Sequence, residues 1–128
     1  VKKLKVRGKR KELGQKGEET AALYLRRKGY KIIEQNYRYS RLGEIDLIAQ
    51  EGKDLVFVEV KTRSSLSFAE PEEAVNYQKQ KRIIKLAQGY LLNQKLDQVS
   101  CRFDVVSIII DQGGKIKSIK LIRDAFGE

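Results

Sequence analysis

Apolar positions along the chain change period several times, and each change marks an element. Counting from Glu18, Ala21, Ala22 and Leu25 fall three, four and seven residues on. That spacing lines one face of a helix, expected from about Gly14 to Lys28 with Gly29 as its stop. Tyr30 to Tyr37 reads as a strand, "YRYSRL" as a loop, and two alternating runs around Gly52-Lys53 as a hairpin. The Ser-rich link "TRSSLSFAE" follows, and Pro71, with Glu72 and Glu73 behind it, suits the first turn of a helix running to about Asn93. Ile83, Leu86, Ala87, Tyr90 and Leu91 form that helix's apolar stripe, yet projecting it backward at about 100° per residue lands on Asn76, Lys79 and Gln80. "CRFDVVSIII" is a β-branched run typical of a buried strand, and "DQGG" reads as a turn into a last strand near Lys115 to Ile122. The expected order is α-β-β-β-α-β-β.

The hairpin carries the unusual pattern. A turn at Gly52-Lys53 pairs Glu51 with Asp54 and Gln50 with Leu55, and sets Ala49, Leu47 and Ile45 opposite Val56, Val58 and Val60 on a core face. On the other face Ile48 opposes Phe57, Asp46 opposes Glu59, and Glu44 opposes Lys61. Directly opposed side chains have Cβ atoms about 5 Å apart, where two negative charges repel by roughly 3 kcal/mol at an effective dielectric of about 20. Folding does not ask for that. Either this face is partly solvated with Lys61 bridging its acids, or a divalent cation removes the repulsion by taking oxygens from Asp46 and Glu59. Glu18, an acid on the apolar face of the first helix, could join the same cluster or serve as a helix-dipole partner.

Composition narrows the chemistry. At 128 residues, 41% of them hydrophobic, the chain fits one domain with a single core: a basic arm over 1–13 and the domain proper over 14–128. Neither a membrane span nor a secretory signal is visible, so a cytoplasmic protein is expected. Cys101 is the single cysteine and reads as a buried structural residue. Histidine is absent, which removes imidazole-based nucleophile pairs and zinc sites and leaves carboxylates, lysine and a hard cation for any hydrolysis. The net charge of +10 makes a polyanionic partner plausible. Eight basic residues against Glu12 lie between Val1 and Gly17, either as a solvated terminus or as a phosphate-contacting arm, so only about +3 belongs to the rest.

Asp46, a twelve-residue gap and then Glu59-Val60-Lys61, behind a helical acid, resembles the PD-(D/E)xK nuclease superfamily. More closely, "GQKGEETAALYL", "GEIDLIA", "VFVEVKTR", "EAVNYQKQKRI", "CRFDVV" and "IRDAF" resemble the YraN-like family of bacterial proteins, predicted endonucleases related in fold to archaeal Holliday-junction resolvases. Ile45 stands where the superfamily name places a proline. The resemblance implies a restriction-endonuclease-like three-layer α/β fold, a central mixed sheet flanked by helices. It implies that Asp46, Glu59 and the backbone carbonyl of Val60 bind Mg²⁺ or Mn²⁺, that Lys61 orients or acidifies the attacking water, and that Glu18 holds the metal-bound water or a second ion.

Thr62, Arg63, Lys79 and Gln80 are candidate phosphate contacts near that cluster. Tyr37, Arg38, Tyr39 and Arg41 interleave aromatics with cations, as a flexible nucleic-acid strand would want, or form an ordinary charged loop. Phe68 is either an exposed wedge or a core residue. The leading expectation is a metal-dependent endonuclease acting on DNA, with branched or damaged DNA among the candidate substrates and a homodimer attractive for cutting two strands. The competing expectations are a nucleic-acid-binding module that does not cut, and an assembly protein whose charged hairpin packs against a partner chain.

Overall fold

The computed structural model describes residues 2–65 and 75–127, with side chains from Leu13 onward. The elements are α1 (Lys2–Arg27), β1 (Lys31–Arg38), β2 (Glu44–Glu51), β3 (Asp54–Ser64), α2 (Tyr77–Asn93), β4 (Cys101–Ile110) and β5 (Ile116–Phe126), in the expected order. They build one five-stranded mixed sheet, ordered β1-β2-β3-β4-β5. Neighbours are antiparallel except β3 and β4, which run parallel from Leu55↔Cys101 to Ser64↔Ile110 and therefore need the crossover that α2 supplies.

Two core clusters show where the helices lie. Ala21, Ala22 and Leu25 of α1 pack with Leu47, Ala49, Val56, Val58, Val106 and Ile108 on one face of the sheet. Ile83, Leu86, Ala87 and Tyr90 of α2 pack with Ile48, Phe57 and Val105 on the other. The result is a three-layer α/β fold. Among the described residues, no helix is long and apolar enough to cross a membrane.

Helix α1 begins well before Gly14. Its front half has no apolar period to announce it, but Lys, Arg, Leu and Glu are strong helix formers and before Gly14 only Val6 and Gly8 interrupt them. At its other end the expected stop is present: Gly29 takes φ +96°, Tyr30 N–H donates to the Leu25 carbonyl and Gly29 N–H to that of Arg26, both at 3.0 Å. Helix α2 starts at Tyr77 with Asn76 as its cap, Oδ1 accepting from Lys79 N–H at 2.9 Å. Asn76 thus ends the stripe rather than extending it. Pro71, Glu72, Glu73 and Phe68 lie outside the described residues.

The hairpin keeps the expected register from Glu51↔Asp54 to Leu47↔Val58, with Gly52 at φ +59° in the turn. There the ladder between β2 and β3 ends among the described residues, and neither Asp46↔Glu59 nor Glu44↔Lys61 is a ladder pair. Ile45, expected beside Leu47 and Ala49, instead joins the cluster under α2. The physical reason is that a side chain takes the next backbone donor: Val60 N–H donates to Asp46 Oδ2 at 2.8 Å. "DQGG" is a hairpin turn, with Asp111 Oδ1 accepting from Gly113 and Lys115 N–H, both at 2.9 Å. Cys101 is half-buried and free rather than fully buried.

At the Gly52 end of the sheet, Arg102 forms a half-buried clamp. Its guanidinium donates to Glu51 at 2.5 Å, Asp54 at 2.7 Å, Asp104 at 2.9 Å and the Tyr30 hydroxyl at 3.0 Å. Asp104 is fully buried and also accepts from the Tyr30 hydroxyl and from Asp124 N–H, both at 2.9 Å. Replacing Arg102 with Leu strands the Asp104 charge, so denaturant unfolding of Arg102→Leu is expected to show a loss of about 3–5 kcal/mol. A second expectation concerns the α1–β3 contact. Gly17 is buried, and a Cβ there would run into Thr62 Oγ1 and come 3.2 Å from Thr62 Cβ. Gly17→Ala should cost about 1–3 kcal/mol of stability, part of it recovered in the double variant with Thr62→Ala, read from the same unfolding curves.

Candidate functional site

Where the β2–β3 ladder ends, the two strands leave a cavity of about 540 Å³. Glu18 from α1, Asp46 from β2, Glu59, Lys61 and Arg63 from β3, and Lys79 from α2 all line it. These charges come from four elements far apart in sequence. A smaller hollow of about 200 Å³ shares Asp46, Glu59 and Lys79 with it and adds Glu44 and Arg82.

Asp46 is the centre of the arrangement. One side of it faces Glu18 and Glu44, and one oxygen from each of the three acids lies within 4.8 Å of the others. That separation is roughly twice a hard-cation–oxygen bond of about 2.0–2.6 Å, so one ion could bridge the group. The other side of Asp46 faces Glu59, whose burial and carboxyl–carboxyl hydrogen bond to Asp46 raise its pKa far above the usual carboxylate range. The Lys79 ammonium, 3.4 Å from Glu59 Oε2, offsets this only in part. Glu18 is pushed up to about 7 by burial and by the Asp46 and Glu44 charges. Lys61 is held below the usual lysine value by burial and by the neighbouring Lys79 ammonium.

Glu18 and Glu59 thus hold protons to higher pH than separate surface acids would. Val60, expected to contribute its carbonyl, lines the cavity and holds Asp46 in place through its N–H. Thr62 lines the cavity too, but its hydroxyl abuts α1 at Gly17. Gln80 turns back on its own helix start, Nε2 donating to the Val75 carbonyl at 2.8 Å.

The aromatic–cation segment is placed beside the site rather than in it. Tyr37 packs edge-on to Tyr90 with ring centres 5.1 Å apart, and the Tyr39 ring lies 3.2 Å from where a Cβ on Gly89 would be. Arg38 is exposed, 3.7 Å from Glu44, and Arg41 is exposed as well. Two participants escaped the sequence reading. Glu44 was matched to Lys61 by hairpin register, although its position two residues before Asp46 already signalled a shared face. Asn36 gave no such signal: it sits on β1 at φ +53°, and with its amide nitrogen turned toward the acids it donates to both Glu18 oxygens at 3.2 and 3.3 Å.

With this geometry in hand, sequence comparison places the chain. Residues 17–108, which span α1 from Gly17 through most of β4, match the family model described as "Uncharacterised protein family UPF0102". The chain belongs to that family. It is 46% identical over 116 residues to a UPF0102 protein of Acetivibrio thermocellus, covering 88% of this chain and 89% of the relative. A UPF0102 protein of Alkaliphilus metalliredigens is 49% identical over 116 residues, with 91% and 98% covered, and one of Caldicellulosiruptor bescii 50% over 119 residues with the same coverage.

The raised acids make the stability of this UPF0102 member depend on pH in a defined direction. An unfolded glutamate titrates near 4.5, whereas folded Glu18 titrates near 7, so between those values the folded state binds more protons. Stability is therefore greatest below about 4.5 for this group and falls as pH rises through 7, with Glu59 extending the loss upward. In metal-free buffer, denaturation midpoints of the wild type should fall between pH 5 and 8, and Glu59→Gln and Glu18→Gln should each flatten that slope.

Proposed function

We propose that this protein is a metal-dependent endonuclease that hydrolyses phosphodiester bonds in DNA, on a fold of the restriction-endonuclease type. The observation that carries the reading is the convergence of Glu18, Asp46, Glu59 and Lys61 on one cavity at the point where the hairpin ladder opens. A buried Glu59 that faces Asp46 and holds its proton far above the usual carboxylate range fits a site whose occupant is positive, because an ion would displace that proton and remove the repulsion. The donors are all oxygens, as Mg²⁺ or Mn²⁺ prefers.

In this reading Asp46 and Glu59, with the Val60 carbonyl, would hold the cation, and Glu18 with Glu44 would hold a water beside it or a second ion. The bound cation supplies Lewis-acid stabilisation of charge developing on the phosphoryl oxygens and makes water acidic enough to attack near neutral pH. Asn36 orients Glu18, and Val60 N–H fixes Asp46. Lys61, which lines the cavity with its ammonium form disfavoured by burial and by Lys79, would orient the attacking water and take up its proton. Lys79 keeps the Glu59 charge in balance as the proton moves.

The test is cleavage of linear, flapped and four-way-junction DNA with Mn²⁺ or Mg²⁺. Metal-dependent cutting is expected in the wild type, reduced about a hundredfold or more in Asp46→Asn and in Lys61→Ala. Cutting that survives Asp46→Asn would remove the site assignment. If metal binds but no DNA is cut, a binding module on the same fold becomes the better reading. If Mn²⁺ shows no heat of binding, an assembly protein with a charged hairpin does.

A further inference from the structure

The reading above uses the acidic end of the cavity and leaves the other end unexplained. Past Lys61 the cavity continues along Thr62, Arg63 and Ser64 to the β4–β5 turn, where Asp111, Gln112 and Gly114 form its wall. That far wall is tied to α1 by Lys16, whose Nζ donates to the Gly114 carbonyl at 2.7 Å. Here Arg63 presents an anomaly. Its Nε and Nη1 are shut off from solvent and have no hydrogen-bond partner among the described residues. A guanidinium always carries its charge, and buried donors without partners are rare enough that each calls for an explanation, an absent ion among them. Asp111, the acid on the turn-side wall, makes no hydrogen bond to either nitrogen and instead caps its own turn, Oδ1 accepting from Gly113 and Lys115 N–H.

Strand geometry suggests what the missing partner is. Lys61 and Arg63 are two residues apart on β3, so their side chains leave the same side of the strand about 6.6 Å apart. That matches the spacing of successive phosphates in an extended nucleic-acid strand. The cavity volume lies in the range of about 300–1,000 Å³ that suits small ligands, room for a short stretch of one strand and not for a double helix.

We propose that Arg63 binds the phosphate adjacent to the scissile one, so that the site grips two successive phosphates of an unpaired strand running along β3 from Lys61 toward the β4–β5 turn. This rests on the reading of the acidic end as the cutting centre, and it narrows the substrate to DNA with an unpaired segment. Arg63 is then a positioning residue that sets which bond lies over Asp46 and Glu59.

The experiment measures binding rather than cutting, so the two readings can fail separately. A fluorescein-labelled single-stranded oligonucleotide is titrated in Ca²⁺ with the full chain, as wild type, Arg63→Met and, as a control at the far end of the hairpin, Lys53→Ala. The methionine keeps the apolar stem and removes the charge. Arg63→Met should bind several-fold more weakly and lower the steepness of log K against log salt by about 0.7, the share of one phosphate on a single strand, while Lys53→Ala should match the wild type. Replacing phosphates one at a time with neutral methylphosphonate should reveal one position whose neutralisation weakens the wild type and leaves Arg63→Met unaffected. Without ligand, Arg63→Met should melt no lower than the wild type, since it relieves an unpaired charge. An unchanged salt slope, no coupled phosphate position, or no strand binding by the wild type would each overturn the proposal. Binding with the coupled position but without cleavage in Mg²⁺ would uphold it and remove the nuclease reading instead.

Discussion

The hydrogen bond from Val60 N–H to Asp46 Oδ2 governs the architecture around it. A backbone donor on a buried central strand must be satisfied, and the usual partner is a carbonyl of the neighbouring strand. Here a carboxylate takes that place, so the β2–β3 ladder stops at Leu47↔Val58 and the strands part. The consequences are coupled. Ile45 crosses to the α2 side, Asp46 lies between the strands instead of on one face, and the gap becomes the cavity into which α1 and α2 deliver Glu18 and Lys79. A simple ladder would have left Asp46 and Glu59 as a repulsive surface pair. The interruption sets half-buried Asp46 against buried Glu59, whose proton is held far above the usual carboxylate range.

The two ends of β3 solve the same electrostatic problem in opposite ways. Toward the Gly52 turn, Asp104, Glu51 and Asp54 surround Arg102 and Tyr30, and the charges find partners within about hydrogen-bonding distance. Such a network fixes the start of β4 against the hairpin and holds the sheet in register. Toward Arg63, acids face acids, Lys61 faces Lys79, and a guanidinium has buried nitrogens without acceptors among the described residues. Charges left uncompensated beside a cavity are the pattern expected of a place that something else completes.

Much of this was legible in the chain. Gly52 fixed the hairpin register because the turn type leaves little freedom, and five predicted pairs are present from Glu51↔Asp54 to Leu47↔Val58. The backward projection of the α2 stripe also placed Lys79 toward the acids, where it meets Glu59. What could not be read was any place where a side chain substitutes for backbone. Asp46 ending the ladder and Asn76 starting α2 both do this, and alternation and helical period, which count residues, are blind to it. The front half of α1 was missed for the complementary reason: its residues favour helix intrinsically while showing no apolar face.

Backbone strain alone would not have found the site. Asn36 sits beside Glu18 with positive φ, but Ser40, Lys95, Gln98 and Asp124 have positive φ as well, and none of these lines the cavity. The distinguishing mark is chemical. Asn36 spends its strained position on donating to an acid that burial and its neighbours drive toward protonation, while Gly17 gives up a side chain so that α1 can press Glu18 and Thr62 toward the same cavity. Each arrangement brings like charges closer than folding alone would favour, and the Arg102 network stabilises the opposite end of the sheet against that cost. The site is therefore an expense carried by a well-clamped scaffold, which is why its residues, rather than the core, are where substitution should separate stability from function.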